Sequence, residues 1–500
     1  MASTLWKKFI PSAEPAAADD SSNAAQYDAS TFAEGSAEPD SKAPADAVHQ
    51  APSEERPNEA AQDGVTQAEA ITLTMWCLYF VNAFQSQITS NLSAYITSDF
   101  ESHSLIPVID IVSSVMGAAT YMPVAKILNL WDRSIGFALM TVFAVLGLIL
   151  SATCNGIGTY CAAQKNGLLR ERERVDRTLV QSIIHYAIEF DLLGVVLLTA
   201  GLVLFLLPFT IAGSTDSDWK TASIIVMLVV GIVCLLAFAA VEHWVAPVPF
   251  LPWEMLATRT VLGACLVDAT YQIAYYCWDD YYTSYLQVVY GVSIETAGYI
   301  SSIFDVVSGV WLLGVGLSIK MTGRFRWLLL WSVPLYLLGE GLMIYFRQPH
   351  WSVGYNIMCQ VFLALSGGTM IIVQQVAVLA VADHNNAASA LAFLNVFGNM
   401  GSAVGSSISG AIWTHTLPAA LQRLLPESAK ADWETIYDSL DVQLSYARGT
   451  PVRHAINLAY AEAQSKMLIA GTAIMALSLG WMFLIKDLKV TKTQTKGVLF

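Results

Sequence analysis

Long apolar runs separated by short polar stretches fill the chain from residue 72 onward. A membrane-spanning helix needs roughly 20 mainly apolar residues to cross about 30 Å of hydrocarbon. Eleven stretches meet this requirement, and they lie at about 72–95, 105–126, 134–154, 191–212, 222–242, 261–285, 294–318, 327–346, 355–382, 388–413 and 466–487. The pattern predicts an all-α, polytopic membrane protein with about 11 spans.

The composition agrees with lipid as the main solvent of the chain. Apolar residues make up 55% and charged residues 13% of the 500 residues, whereas a soluble globular protein carries roughly a quarter charged residues. Much of the acidity precedes the first span, because residues 1–70 hold four Lys or Arg against thirteen Asp or Glu. Such a segment cannot bury enough apolar surface to fold, so we expect residues 1–70 to be a disordered, acidic cytosolic tail.

Motifs of common enzyme classes are missing from the sequence. It contains no Walker A loop, no GxSxG nucleophile motif and no zinc motif such as HExxH or paired CxxC. We therefore expect a protein that is not an enzyme, with no cofactor, no metal site and no nucleic-acid partner. Uphill transport would then depend on an ion gradient rather than on ATP.

Clusters of Lys and Arg in short loops indicate which side of the membrane is cytosolic. Such clusters occur in the segment 165–190, in the loop after residue 318 and in the tail after residue 485. All three are therefore expected in the cytosol. Counting spans between them places residues 414–465 outside the cell.

The junction between Gln164 and Lys165 conflicts with this orientation. Lys126 and Arg133 place the loop after the second span in the cytosol, so the third span ends outside, near Gln164. Lys165 nevertheless begins a cytosolic loop, and no span separates the two residues. Either an odd number of crossings is missing here through an internal deletion, or a short stretch beside the junction re-enters the membrane.

Aromatic and acidic side chains are concentrated in and just after the span 261–285. Residues 268–290 have the sequence DATYQIAYYCWDDYYTSYLQVVY. An aromatic belt at the membrane interface is one explanation, but a belt does not need three carboxyl groups. The alternative is that the inner part of this helix lines a substrate path, with the candidate residues Tyr271, Tyr275, Trp278, Asp279, Asp280 and Tyr282.

Acids inside the predicted spans are candidates for proton coupling. A charged group in hydrocarbon is costly, so these side chains are expected to face a cavity or a partner. A carboxyl group in such surroundings can gain and lose a proton near neutral pH, although each of them could instead make a structural hydrogen bond. The candidates are Asp110, Asp268, Asp305 and Glu340.

Glycines recur at near-helical spacing in the span 388–413. They are Gly398, Gly401, Gly405 and Gly410. Small residues let two helices approach closely, as bundles that rock against each other require. We expect this span to lie close to another helix.

Three segments give the chain a resemblance to a known family. They are PVAKILNLWDRSIGF at 123–137, YYTSYLQVVYGVSIETAGYI at 281–300 and LPESAKADWETIYDSLDVQLSYARGTPVRHAINLAYAEAQSKM at 425–467. Together with the acidic tail, they resemble the fungal siderophore-iron transporters of the major facilitator superfamily, over residue 71 to the end. The resemblance implies proton-driven import of ferric hydroxamate-type siderophores at a fungal plasma membrane, or at endosomal or vacuolar vesicles.

The resemblance also implies an architecture of fourteen spans, three more than this sequence provides. It places the gap at Gln164/Lys165, the junction at which the charges disagree. The implied domains are an incomplete N-terminal bundle of three spans at 71–164, the basic cytosolic loop at 165–190, two linker spans at 191–245 and a C-terminal bundle of six spans at 246–500.

The last outer loop, residues 414–465, is linked to substrate capture in that family. The residues carried over to this sequence are Tyr437, Tyr446, Arg448 and Arg453. Amphipathic helices that only cap the bundle are the alternative for this loop. Two other functions stay compatible with the whole sequence: a drug or glutathione proton antiporter of the same superfamily, and a truncated product that does not transport.

Overall fold

The computed structural model describes the chain over residues 84–89, 103–130, 187–212, 218–247, 257–382 and 387–489, with a few single positions before 103 and between 141 and 185. Residues 86–500 belong to one compact unit. The elements of the described ranges are helical, and no β-strand occurs among them. The predicted acidic tail lies outside the described residues, as do most of the first and third predicted spans and of the basic loop 165–190.

The helices follow the apolar runs of the sequence. In chain order they are α1 (Ile106–Leu130), α2 (Leu192–Ile211), α3 (Ala222–Trp244), α4 (Arg259–Asp279), α5 (Tyr282–Tyr285), α6 (Ile294–Ser301), α7 (Ile303–Thr322), α8 (Arg326–Phe346), α9 (Val353–Leu379), α10 (Ala387–Leu424), α11 (Trp433–Asp438), α12 (Leu440–Ser445), α13 (Pro451–Met475) and α14 (Ser478–Trp481). Short 3₁₀ turns at His103–Leu105, Asp218–Lys220 and Glu427–Asp432, and a π turn at Leu286–Tyr290, complete the described elements.

Seven helical segments within the described ranges are long and apolar enough to cross a membrane. They are His103–Lys126, Leu192–Ile211, Ala222–Trp244, Ile294–Thr322, Arg326–Phe346, Val353–Leu379 and Ala387–Leu424. Helices α4 and α13 have 21 and 25 residues and the length of a span, but they carry more polar side chains. An all-α, polytopic membrane fold is therefore confirmed.

The helices on either side of the predicted outer loop are longer than the apolar runs. Helix α10 continues past the predicted end at residue 413 to Leu424, and α13 begins at Pro451 rather than at residue 466. The hydroxyl of Thr450 caps α13 by accepting a hydrogen bond from the Arg453 amide at 3.3 Å. Hydropathy marks where lipid ends and not where a helix ends, so only residues 425–450 form the loop.

The predicted close approach of the glycine-rich span is confirmed, because α10 packs directly on α4 and α2. A Cβ atom on Gly401 would lie 2.5 Å from the Ala269 carbonyl oxygen, and one on Gly405 would lie 2.7 Å from the Ile273 carbonyl oxygen. A Cβ atom on Gly410 would meet the Thr210 hydroxyl at 2.4 Å. Glycine is required at this contact because any side chain would separate the helices.

The two ends of the bundle can be distinguished by their contacts. Arg324 forms an ion pair of 2.7 Å with Asp487, and Arg259 donates to the Phe483 carbonyl at 3.0 Å, so the loop after α7 and the tail share one end. Helices α4 and α5 lead from that end to the outer loop, where Arg448 donates to the Tyr290 carbonyl. Which end faces the cytosol stays a prediction.

Candidate transport site

The predicted path helix is interrupted where its acids lie. Helix α4 ends at Asp279 and α5 begins at Tyr282, with Asp280 and Tyr281 in the turn between them, so the helix over the predicted span 261–285 is not continuous. A π turn at Leu286–Tyr290 follows, and Gly291, with a φ of 61°, ends the helix. Irregular backbone in a membrane needs polar surroundings, and interrupted helices line the binding sites of many transporters.

The four aromatic path candidates form one continuous ladder. Ring centroids are 6.5 Å apart between Tyr271 and Tyr275, 5.3 Å between Tyr275 and Trp278, and 5.4 Å between Trp278 and Tyr282. Tyr271, Trp278 and Tyr282 are buried, and Tyr275 is half-buried against Phe304 of α7. These rings therefore pack with one another along the helix, whereas a belt would spread them around the bundle at a single depth.

Acids from three helices interact with one another beside this ladder. Asp279 interacts electrostatically with Asp305 of α7 and with Asp110 of α1, and Asp280 interacts with Asp110 and Asp279. The Ser406 hydroxyl of α10 donates to Asp280 Oδ1 at 3.3 Å. We call Asp110, Asp279, Asp280 and Asp305 the acid cluster. The structure thus brings two path candidates and two proton-coupling candidates together.

The other two proton-coupling candidates are not part of the acid cluster. Asp268 lies earlier on α4 than Asp279, and its Oδ1 accepts a hydrogen bond of 2.9 Å from the Gln374 amide in the orientation that satisfies both groups. Glu340 of α8 is fully buried beside the Trp278 indole and the Thr472 hydroxyl. Both acids stay candidates for proton coupling, with neighbours different from those of the acid cluster.

Arg347 is a buried cation at the site that sequence reasoning missed. Its guanidinium carbon lies 4.5 Å from the Trp278 ring centroid and 4.4 Å from that of Tyr282, and Nη1 donates to Gln464 Oε1 at 2.8 Å. It interacts electrostatically with Asp279 and Glu340. In the sequence it follows α8 in the short polar run FRQPH, which predicts a loop. The sequence contained one signal for this site, a single arginine at the predicted outer end of a span. Lys and Arg collect in cytosolic loops, so few of them are expected at an outer end.

The outer-loop candidates hold the loop against the end of the path helix. Buried Arg453 donates to the Val288 carbonyl at 2.9 Å and 3.2 Å and to the Gln443 carbonyl, and a longer bond of 3.4 Å reaches the Tyr446 carbonyl. Exposed Arg448 donates to the Tyr290 carbonyl, and Tyr437 is buried beside Ser104. Arg453 and Arg448 thus already have partners in this conformation, and the predicted role in capture stays a prediction.

Residues before α1 meet the path helix at the same end of the molecule. The Tyr281 hydroxyl donates to the Ser104 carbonyl at 2.7 Å, and the Tyr95 hydroxyl donates to Gln287 Oε1. Tyr281 also stacks on Trp413 of α10, with ring centroids 3.8 Å apart. We call the contacts made by Tyr95 and Ser104 the outer seam, since they join the start of the described chain to its later half.

Long helices around an interrupted helix lined by acids and aromatic rings are the arrangement expected of a secondary transporter, such as those of the major facilitator class. Among solved structures, a bacterial homologue of the human lysosomal transporter Spinster, in an inward-facing and occupied conformation, gives a TM-score of 0.52. It is 15% identical and covers 84% of this chain and 96% of that chain, so the likeness shows the fold alone.

Comparison with curated proteins identifies the family within that class, although no family model matches the chain. The MFS siderochrome iron transporter D of Aspergillus fumigatus is 62% identical and covers 92% of this chain and 94% of its own length. The siderophore iron transporter mirB of Emericella nidulans is 40% identical, with 89% and 90% covered. The chain belongs to the family of MFS siderophore-iron transporters, as its motifs predict.

The same alignments are longer than this chain. The one with the Aspergillus fumigatus relative runs over 561 positions against 500 residues here, so at least 61 positions of the relative have no counterpart. Because that alignment uses 92% of this chain, about 460 residues, the number is about 100. At roughly 20 residues a span plus loops, this is enough for three spans. Their number and their position at Gln164/Lys165 stay predictions.

Proposed function

We propose that this protein carries ferric siderophores of the hydroxamate type across a fungal plasma membrane or vesicle membrane, driven by protons. The observation that carries the proposal is the 62% identity to a siderochrome iron transporter over 92% of the chain. The aromatic ladder supports it through half-buried Tyr275, because binding sites for bulky ligands combine aromatic side chains with a few polar groups.

The acid cluster supports the proton coupling. Carboxyl groups that share a site repel one another when ionised, and binding of protons relieves that repulsion. Asp110 lies on α1, whereas Asp279 and Asp305 lie on later helices. Protonation of the cluster would therefore reduce the repulsion between α1 and the later helices, and a change of this kind can shift the balance between the two conformations of alternating access.

A second function is favoured by the alignment lengths. A chain that lacks about 100 internal positions of its relative would have an incomplete first bundle, and each bundle supplies half of the cavity wall in this superfamily. We infer as the alternative to transport that the chain as it stands is a truncated product that does not carry a solute. Insertion at Gln164/Lys165 of the matching segment of the Aspergillus fumigatus relative gives a chain that we call the restored chain.

Uptake of iron-55 supplied as a ferric hydroxamate tests both functions in a yeast that lacks its own siderophore importers. The restored chain is expected to take up label, to lose uptake when a protonophore is added and to support growth under iron starvation. If this chain is the truncated product, it shows neither uptake of the label nor growth under iron starvation. A restored chain that reaches the cell surface but exports a dye instead would make the antiporter the correct function. Robust growth from this chain alone would refute the deletion.

A further inference from the structure

Lys126 lies at the end of α1 that is away from the outer loop, beside three carboxyl groups of the predicted linker spans. Its ammonium group donates a hydrogen bond of 2.7 Å to the Glu189 carbonyl oxygen. The side-chain carboxyl groups of Glu189, Asp191 and Glu242 attract it electrostatically. Glu189 and Asp191 precede α2, whereas Glu242 lies near the end of α3. We call these four residues the Lys126 cluster, in which one cation joins α1 to both linker spans.

The acids of the Lys126 cluster are held in a costly position. Asp191 has a left-handed φ of 45°, and its Oδ1 accepts a hydrogen bond of 3.2 Å from the Gly194 amide. A Cβ atom on Gly194 would lie 2.0 Å from Asp191 Oδ2, so glycine leaves room for the carboxyl group there. Asp191 and Glu242 are only 6% and 5% exposed. Backbone strain and buried acids persist mainly where function depends on them, and Lys126 supplies the charge that offsets these acids.

Toward the outer loop, the linker spans are attached to α10. The Ser407 hydroxyl of α10 donates to the Leu206 carbonyl of α2 at 3.0 Å. Trp219, in the turn between α2 and α3, stacks on His415 of α10 with ring centroids 6.5 Å apart. The linker spans are thus fixed to a helix of the later half at one end and to Lys126 of α1 at the other.

The two linker spans move as one body because their backbones lie in close contact. A Cβ atom on Gly231 of α3 would lie 2.6 Å from the Phe205 backbone nitrogen of α2. A Cβ atom on Gly201 of α2 would lie 3.1 Å from the Leu235 backbone nitrogen of α3. Helices that pack this closely do not slide easily on each other. A shift of α1 against α10 is therefore taken up where the pair is attached, and not between its two helices.

The outer seam and the Lys126 cluster are both formed in this conformation. Alternating access rocks the two halves around the site, so opening of the outer end shifts the opposite end of α1 along the linker spans. We propose that Lys126 is a positioning residue for transport: the Lys126 cluster stabilises the conformation that is closed at the outer seam, and it breaks when the seam opens. The proposal rests on alternating access in this family, and not on the cargo or on the coupling to protons.

Access to the outer seam from outside the cell is the quantity to measure. Ser104→Cys is introduced into a cysteine-free form of this chain, and its rate of labelling by a membrane-impermeant maleimide is measured in intact cells. We expect Lys126→Met to raise that rate several-fold, because the closed conformation loses an attachment. Lys126→Arg keeps the charge and should label at the parental rate. Lys320→Met is the matched control, since it removes an exposed cation from the same end of the molecule, and it should also label like the parent.

An exchange of charges shows whether the electrostatic contact itself is responsible. Lys126→Glu should raise the labelling rate at least as much as Lys126→Met, and addition of Glu242→Lys should return the rate toward that of the parent. A parental rate in Lys126→Met would overturn the proposal, as would an exchanged pair that labels as fast as Lys126→Glu. If the single variants do not accumulate in the membrane, the exchanged pair decides: accumulation with parental labelling supports the proposal, and faster labelling or loss of the pair contradicts it.

Uptake by the restored chain separates a positioning role from a purely structural one. A larger outer-open population binds chelate at a lower concentration, so Lys126→Met should lower both the half-saturating concentration and the maximal rate of iron-55 uptake. A lower maximal rate alone, in proportion to surface abundance, would mean a structural role and would contradict the proposal. The labelling assay does not require transport. A restored chain that imports no chelate would therefore contradict the proposed cargo and leave the labelling result valid.

Discussion

Arg347 shows how a full charge is accommodated inside this bundle. The side chain is fully buried, and its guanidinium lies over the Trp278 and Tyr282 rings while Gln464 accepts one of its hydrogen bonds. A desolvated cation–π contact is worth about 2 kcal/mol, and the nearby carboxyl groups of Asp279 and Glu340 add long-range attraction. Arg347 therefore positions the two rings of the ladder and balances charge at the site.

Replacement of Arg347 separates these roles. In the restored chain, Arg347→Met keeps the length of the side chain but removes the charge, so we expect a loss of about 2 kcal/mol in unfolding free energy and at least a tenfold loss of uptake. Arg347→Lys should give stability and uptake between those of the parent and of Arg347→Met, because an ammonium group keeps the charge but cannot cover two ring faces. Thermal unfolding in detergent and chelate uptake give the two readouts. Unchanged melting and uptake in Arg347→Met would refute both roles.

The acid cluster makes a separate prediction about charge. Asp279→Asn and Asp280→Asn keep side-chain volume but cannot bind or release a proton, so in the restored chain each should reduce uptake far more than surface abundance. The rise of uptake at lower external pH should also flatten. Asp487→Asn is the matched control, since it removes only an exposed ion pair with Arg324, worth at most about 1 kcal/mol. If both variants took up as much chelate as the parent, the aromatic belt at the membrane interface would be a better explanation of this segment than a substrate path.

At the residue scale, the sequence indicated the acids and rings of the path because their density in an apolar run is unusual. It did not indicate Arg347, since the residue follows α8 in a polar run and its partners on α4 and α13 are distant in sequence. The same limit applies to Arg453, whose backbone partners Val288 and Gln443 lie on different elements. Composition reveals which residues are unusual, and only the fold reveals what they contact.

At the element scale, the length and packing of α10 go beyond what hydropathy gives. The apolar run predicts a helix to residue 413, whereas α10 continues to Leu424 with Pro418 inside it. The interruption after Asp279 was also not predictable, because no glycine or proline marks it. The glycines of α10 were predictable as a close contact, and their partner, α4, was not.

Gly401 lies in a helix contact and Gly309 lies on a helix side without a neighbour, so the two positions can be compared directly. Gly401→Ala places a Cβ atom 2.5 Å from the Ala269 carbonyl, so we expect α4 and α10 to separate at a cost of about 1–3 kcal/mol. Gly309→Ala adds the same methyl group where nothing lies within 4 Å, and helix propensity favours it by about 1 kcal/mol. Melting temperatures of the two variants of this chain should therefore move in opposite directions. A Gly401→Ala chain as stable as its parent would contradict the contact.

At the scale of the whole molecule, the loop after α7 and the tail lie at the end opposite to the outer loop. The ion pair between Arg324 and Asp487 holds the loop after α7 beside the tail, as the charge pattern predicts for segments on one side of the membrane. From residue 191 onward, six of the eight predicted spans coincide with helices that are long and apolar enough to cross a membrane. The three further spans of the N-terminal half stay a prediction, since the alignment lengths suggest them and no residue of this chain provides them.

Protease protection in intact cells tests this orientation. A tag at the C-terminus and a tag within residues 165–185 should both survive protease added outside, because positive charge keeps these segments in the cytosol. A tag at the exposed turn of Gly449 should be cut. The three tagged chains control for one another, since all must be cleaved equally once detergent opens the cells. Protection at Gly449 together with cleavage at the C-terminus would reverse the assignment.

Gln287 contacts both the outer seam and the residue that fixes the outer loop. Its side chain accepts a hydrogen bond from Tyr95 in the outer seam, and its backbone carbonyl accepts one of 3.4 Å from Arg453, which fixes the outer loop. Both bonds end on the same π turn, so a movement of that turn strains them together. We therefore expect the outer loop and the outer seam to move together, so that release of the loop and separation of the seam occur in one step rather than in sequence.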